Sequence, residues 1–195
     1  MCVQGAALKR NTALMRLDLS GGAIDTEPKM RALAEGLRAN DSVYRLDLSG
    51  TVCSRGAGAP CWRALAVALS NSTLAELDLS GSITDDAEMR AVAAGFCGAN
   101  ASVARLALRG CAGVGAAGWT ALAGALRNNR RLTDLDLTDC AYSQQGGRVD
   151  RGPARAFRDA LRVNTTLANV TLDAEDYRLS VADGGADDDV ALAID

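Results

Sequence analysis

The sequence has 195 residues, a formal net charge of −3, six cysteines and no histidine. Hydrophobic residues make up 48% of it and aromatic ones only 4%, so the core is expected to be many thin layers of Ala, Leu and Val rather than one built on large rings. Without histidine there is no Ser-His-Asp or Cys-His catalysis and no imidazole metal site; the near-neutral charge opposes a nucleic-acid binder, and no apolar run approaches the roughly 20 residues that span a bilayer.

Segment 1–10 lacks a secretory apolar stretch, which predicts a cytoplasmic or nuclear chain with mostly reduced cysteines. Gly5 to Asn11 matches a later helix end, Gly124 to Asn129. The sequence is therefore read as starting inside a repeat, with an exposed apolar end expected to self-associate. A strand follows at Leu17 to Ser20, then a helix carrying Met30, Leu33, Ala34 and Leu37 on one face. Thr26 is its predicted N-cap, and Pro28 falls in its first turn.

The pattern then recurs. A strand at Leu46 to Ser49 leads through a long loop, Gly50 to Pro60, to a helix with Trp62, Leu65, Ala66 and Leu69. A strand at Leu77 to Ser80 precedes a helix with Met89, Val92, Ala93 and Phe96, for which Thr84 is the predicted N-cap. Leu106 to Arg109 precedes Trp119, Leu122, Ala123 and Leu126. Leu135 to Thr138 precedes a second long loop, Cys140 to Gly152, and a helix with Ala154, Phe157 and Leu161, after which Val170 to Leu172 is a degraded strand. The i, i+3, i+4, i+7 spacing marks one apolar stripe per helix.

Strand starts are 29 to 35 residues apart, and an apolar residue precedes each by three. Three further back stands an asparagine every time: Asn11, Asn40, Asn71, Asn100, Asn129 and Asn164. The unit is N-x-x-L-x-x-L-D-L-S. Asn40, Asn71, Asn100 and Asn164 also match N-x-S/T, but the repeat explains them as helix-closing residues in a left-handed conformation rather than glycan sites.

L-x-x-L-x-L followed by a helix at this period resembles the leucine-rich repeats of the ribonuclease-inhibitor type. Similar repeats occur in NOD-like receptors and the Ran GTPase-activating protein. The resemblance implies an α/β solenoid, a horseshoe of about five to six repeats, with a parallel concave sheet and outer helices. It covers Asn11 to about Asp173, and the solenoid is expected over residues 1–173, leaving 174–195 as an acidic tail or partial cap. The Asn or Cys usual nine positions into the unit is Gly22, Thr51, Ser82, Cys111, Cys140 and Glu175 here. Only the two cysteines fit that rule. They should stack about 5 Å apart on adjacent units as reduced thiols.

With the leucines pointing inward, their alternate neighbours face the concave surface. One column reads Asp18, Asp47, Asp78, Ala107, Asp136, Thr171, and its neighbour reads Arg16, Arg45, Glu76, Arg105, Asp134, Asn169. A third reads Ser20, Ser49, Ser80, Arg109, Thr138, Asp173. The fourth unit breaks the rule, with Ala107 for Asp and Arg109 for Ser. Arginine is favoured at interface hot spots, so a partner contact is expected at Arg105 and Arg109, held extended by Asp134 and Asp136 until a partner carboxylate displaces them. Arg45, Asp47 and Asp78 extend this surface, and Gln144, Gln145 and Arg148 offer a second one on the long loop.

No motif points to a cofactor, a metal or a catalytic group; neither long loop carries a phosphate-binding pattern. The function expected is a protein–protein interaction scaffold, not an enzyme, that binds an unidentified protein partner and neither nucleic acid nor membrane. The alternatives are a GTPase activator resembling the Ran activator and a piece of a NOD-like-receptor sensor.

Overall fold

A computed structural model describes residues 3–22, 24, 26–53, 58–69, 73–96, 102–140, 144–145, 148–149 and 151–172. Strand and helix alternate. A first helix α1 (Val3–Leu8) leads to β1 (Arg16–Asp18), α2 (Glu27–Arg38), β2 (Arg45–Asp47) and α3 (Gly58–Leu69). Then come β3 (Glu76–Asp78), α4 (Asp86–Phe96), β4 (Arg105–Ala107), α5 (Ala116–Asn128) and β5 (Asp134–Asp136). A short antiparallel hairpin, β6 (Gln144–Gln145) and β7 (Arg148–Val149), precedes α6 (Arg151–Leu161) and β8 (Asn169–Thr171). The hairpin lies inside the stretch read as loop, with Gln144 paired to Val149 and Gln145 to Arg148.

The main sheet runs β1-β2-β3-β4-β5-β8, and all its pairs are parallel. Its register places Leu17, Leu46, Leu77, Leu106, Leu135 and Val170 in one row. That row points under the sheet, where Leu46, Leu77, Leu106 and Leu135 are buried. The four helical stripes from α2 to α5 meet them and are buried at every residue named above. Each buried leucine contributes about 1.5–3 kcal/mol, so the thin layers are held by repetition. In α6 the stripe is shifted: Pro153 and Ala160 are buried, Phe157 and Leu161 are half-buried, and Ala154 is exposed. Among the described residues α5 is the helix that packs on α6.

Each helix is tied to the next unit by side chains the period does not reveal. The asparagines are not left-handed: Asn129 has φ −71°, and the described non-glycine residue at positive φ is Asp139 (59°). Instead Asn129 Nδ2 donates to Phe96 O of the preceding unit (3.0 Å), while its Oδ1 accepts from the Arg131 and Leu132 amides. Asn40 and Asn164 do the same toward Leu8 O (2.8 Å) and Leu126 O (2.6 Å). Their amide nitrogens are buried donors, not glycan acceptors. Asn71 and Asn100 lie outside the described residues.

A second tie runs along the strand-to-helix turns. Cys111 Sγ donates to Leu79 O (3.7 Å) and Cys140 Sγ to Leu108 O (2.9 Å). Ser82 Oγ to Leu48 O (2.7 Å) and Thr51 Oγ1 to Leu19 O (3.5 Å) complete the same ladder with hydroxyls, so Thr51 and Ser82 serve where the usual Asn or Cys is missing. Both cysteines are buried free thiols, as expected. Hydrogen bonding to Cys140 brings the Cys111 thiol down to about 7, against the opposing effect of burial.

Helix starts are also shared between units. Thr26 is the N-cap of α2 but makes no side-chain bond to it. For α4 the cap is Asp85, whose Oδ1 accepts from the Glu88 amide (2.8 Å), while Glu88 turns back to the Thr84 amide and hydroxyl. That is a reciprocal capping arrangement one residue beyond Thr84. Asp86 caps across: its Oδ1 accepts from the Gly115 and Gly118 amides at the start of α5 (2.7 and 2.8 Å).

Candidate interaction site on the concave sheet

The strand register fixes the concave columns as read from the sequence. Arg16, Arg45, Glu76, Arg105, Asp134 and Asn169 stand side by side, as do Asp18, Asp47, Asp78, Ala107, Asp136 and Thr171. The aspartates have local work. One oxygen of Asp18 accepts from the Ser20 amide and hydroxyl (2.9 and 2.7 Å), and Asp47 holds Ser49 identically. Asp136 holds Thr138 likewise. L-D-L-S is thus a strand ending in its own side-chain turn, which leads into the left-handed glycines Gly21, Gly50, Gly81 and Gly110.

At the fourth unit the rule fails and a hollow of about 290 Å³ opens over Ala107. Arg45, Asp78, Arg105, Arg109, Asp134 and Asp136 all line it, so six of the ten expected contact residues meet there. Asp47 lies outside its lining. Gln144, Gln145 and Arg148 sit on the β6–β7 hairpin, Gln145 opposite Arg148, and their side chains lie outside the described residues.

The ion pairs around the hollow form a chain of four residues and one separate pair. Arg109 Nε meets Asp136 Oδ2 at 2.5 Å. Arg105 bridges two strands, with Nη1 2.7 Å from Glu76 Oε1 and Nε 3.7 Å from Asp134 Oδ2. Glu76 also takes Arg45 at 3.4 Å. The bridging role of Glu76 was not among the expected contacts, although its signal is visible: it is the acid in an otherwise basic start to its column. Arg105 and Arg109 are 65% and 62% exposed, so these pairs contribute little to stability and leave the guanidinium groups accessible.

Local bonding sets the protonation of the acids. Hydrogen bonds from Thr133 and then Asn169, with Arg105 nearby, hold Asp134 below the ordinary carboxylate range. Burial pushes Asp136 up, but hydrogen bonds from Thr138 and Arg109 outweigh it and keep that carboxyl low as well. Asp136 in turn raises Arg109. The expected carboxylate clamps on both arginines are therefore present and charged.

Among the described residues no cluster of His, Cys, Asp or Glu could hold a metal ion. No helix of the described residues is long and apolar enough to cross a membrane.

No family model matches the chain. Human NACHT, LRR and PYD domains-containing protein 12 is 34% identical over 133 residues, covering 68% of this chain and 12% of that protein. The mouse protein of the same name is 34% identical over 134 residues, with the same coverage. With the six in-register units this decides the family. The chain is a leucine-rich-repeat protein. It spans 12% of the length of these curated relatives.

Two solved structures show the same leucine-rich-repeat fold. A tropomodulin C-terminal domain from a Caenorhabditis elegans structural-genomics effort has a TM-score of 0.55 at 14% identity, covering 91% of this chain and 95% of that one. Leiomodin-1 actin-binding site 2 gives 0.51 at 16% identity, covering 91% and 83%.

Proposed function

We propose that this leucine-rich-repeat chain is a protein-binding scaffold and takes its partner on the concave sheet, with the fourth unit setting the register. The observation that carries this reading is the hollow over Ala107. Identical columns cannot tell a partner where to sit, whereas one broken unit flanked by two accessible arginines can. Arg105, Arg109, Asp134, Asp136, Arg45 and Asp78 form the centre, Asp47 the flank, and the Gln144, Gln145 and Arg148 hairpin a secondary contact. The name of one fold neighbour, an actin-binding site of leiomodin-1, supports protein binding as a use of this architecture. In this reading 1–173 is the solenoid, 174–195 an acidic tail or partial cap, and the setting is cytoplasmic.

The test compares two double variants in partner capture. Arg105→Ala with Arg109→Ala is expected to weaken capture at least tenfold, about 1.4 kcal/mol, without unfolding the chain. Arg90→Ala with Arg127→Ala, on the exposed helix side, is expected to change it less than twofold. Equal affinities for the two would move the site off the sheet.

A second reading is favoured by the 34% match to the NACHT, LRR and PYD proteins: the chain serves as the recognition end of a larger sensor. Sequencing the flanking gene for a nucleotide-binding module tests it.

A further inference from the structure

We infer that the hollow over Ala107 receives a basic side chain of the bound protein, an inference that rests on the concave-face reading above. Its walls carry three guanidinium groups (Arg45, Arg105, Arg109) and four carboxylates (Glu76, Asp78, Asp134, Asp136), an excess of one negative charge. The cations are already matched, each by a carboxylate on a neighbouring strand. An incoming carboxylate would compete with the carboxylates already on those arginines and would add to the excess. A cation breaks none of those pairs and cancels the excess.

The unmatched acid is Asp78. Among the described residues it makes no ion pair and feels Arg109 only at a distance. It also has the weakest local bonding of its column. Asp18, Asp47 and Asp136 each accept a hydroxyl as well as an amide, whereas Asp78 accepts the Ser80 amide alone (2.9 Å). The Ser80 hydroxyl is buried and, among the described residues, gives Asp78 no hydrogen bond. An under-bonded carboxylate thus stands on the wall of the hollow, able to accept from an ammonium or guanidinium group.

Shape agrees with charge. The volume, about 290 Å³, lies just below the roughly 300–1,000 Å³ that small-molecule sites occupy, and it is open, which suits a single protruding side chain. Ala107 presents only a methyl group where Asp47, Asp78 and Asp136 of its column carry a carboxylate, so the stem of a lysine or arginine can lie on it while the charged end reaches Asp78.

The test uses the full chain and a random dodecapeptide library displayed on phage. Peptides retained by the chain but released by Ala107→Leu, which fills the hollow, are synthesised. Each Lys or Arg in them is then replaced by Gln, and each Glu or Asp by its amide. Affinities are read on the native chain and on Asp78→Asn, which keeps an acceptor oxygen for the Ser80 amide and whose folding is checked by its unfolding midpoint. The expected result is one basic position whose loss weakens binding at least tenfold on the native chain and less than twofold on Asp78→Asn. Peptides released by Ala107→Leu but anchored through an acidic residue would overturn the inference and leave the concave reading intact. A library yielding only peptides indifferent to Ala107→Leu, or none, overturns both.

Discussion

Replacing Asn129 by Ala measures how strongly one side chain binds adjacent units. Asn129 is fully buried and makes three hydrogen bonds, one given to Phe96 O and two accepted from the Arg131 and Leu132 amides. Truncation strands a carbonyl and two amide groups where water has little access. Each buried orphan costs about 1–3 kcal/mol, so the expected loss is about 3–5 kcal/mol, allowing for partial relaxation of the turn. Asn11 supplies the control, because it accepts from the Ala13 and Leu14 amides in the same geometry but is exposed. Water replaces it there, and Asn11→Ala should cost about 1 kcal/mol or less. Urea unfolding followed by circular dichroism reads both. The Asn129 variant should also broaden the transition, since damage in mid-array uncouples the units on either side. A loss below about 1 kcal/mol for Asn129→Ala, or equal losses for the two variants, would refute the view that burial of this bond holds the units together.

Leu77→Ala and Leu106→Ala should each cost about 2–5 kcal/mol, while Arg63→Ala on the exposed side of α3 stays within about 0.5 kcal/mol; the same urea titrations check this. Asp139→Gly should stabilise the chain by about 1 kcal/mol, because the four preceding units place glycine at this left-handed position and an L side chain is strained there; a shift of the thermal midpoint upward is the readout. Asp134 and Asp136 are held below their unfolded values, so the folded state binds protons less readily than the unfolded one. Their contribution is present above the ordinary aspartate value near about 3.9 and is lost as pH falls through their lower folded values; stability measured between pH 6 and pH 2, taken as rough bounds from the same principle, should drop less in Asp134→Asn with Asp136→Asn than in the native chain.

The concave columns were legible residue by residue because a parallel stack with one strand per unit leaves no freedom of register: once Leu17 and Leu46 share a motif, Arg16 must neighbour Arg45. The break at Ala107 and Arg109 was legible for the same reason, as a departure from a rule the sequence states four times. What escaped is interaction between units. The asparagine period was plain, yet its cause was read as backbone conformation, whereas the structure uses the side-chain amide as a donor across the stack. Thr51 and Ser82 looked like exceptions because the expected motif names residue types, while the turn requires only a short donor. Asp86, which caps α5 from α4, belongs to a pattern no single unit contains.

All these inter-unit bonds point one way. The asparagine amides and the turn hydroxyls and thiols of each unit donate toward the N-terminal neighbour and never, among the described residues, toward the C-terminal one. In these side-chain ties each unit therefore has hooks on one side and eyes on the other, although sheet amides such as Leu19 N and Leu48 N donate the opposite way. A unit copied in tandem and kept in the same sense arrives with its hooks already facing a row of carbonyls, so duplication lengthens the array without any residue having to change. A unit inserted in reverse would set donor against donor. Growth by repetition is consequently open to this architecture in a single orientation, and that polarity is written in the hydrogen bonds as much as in the direction of the chain.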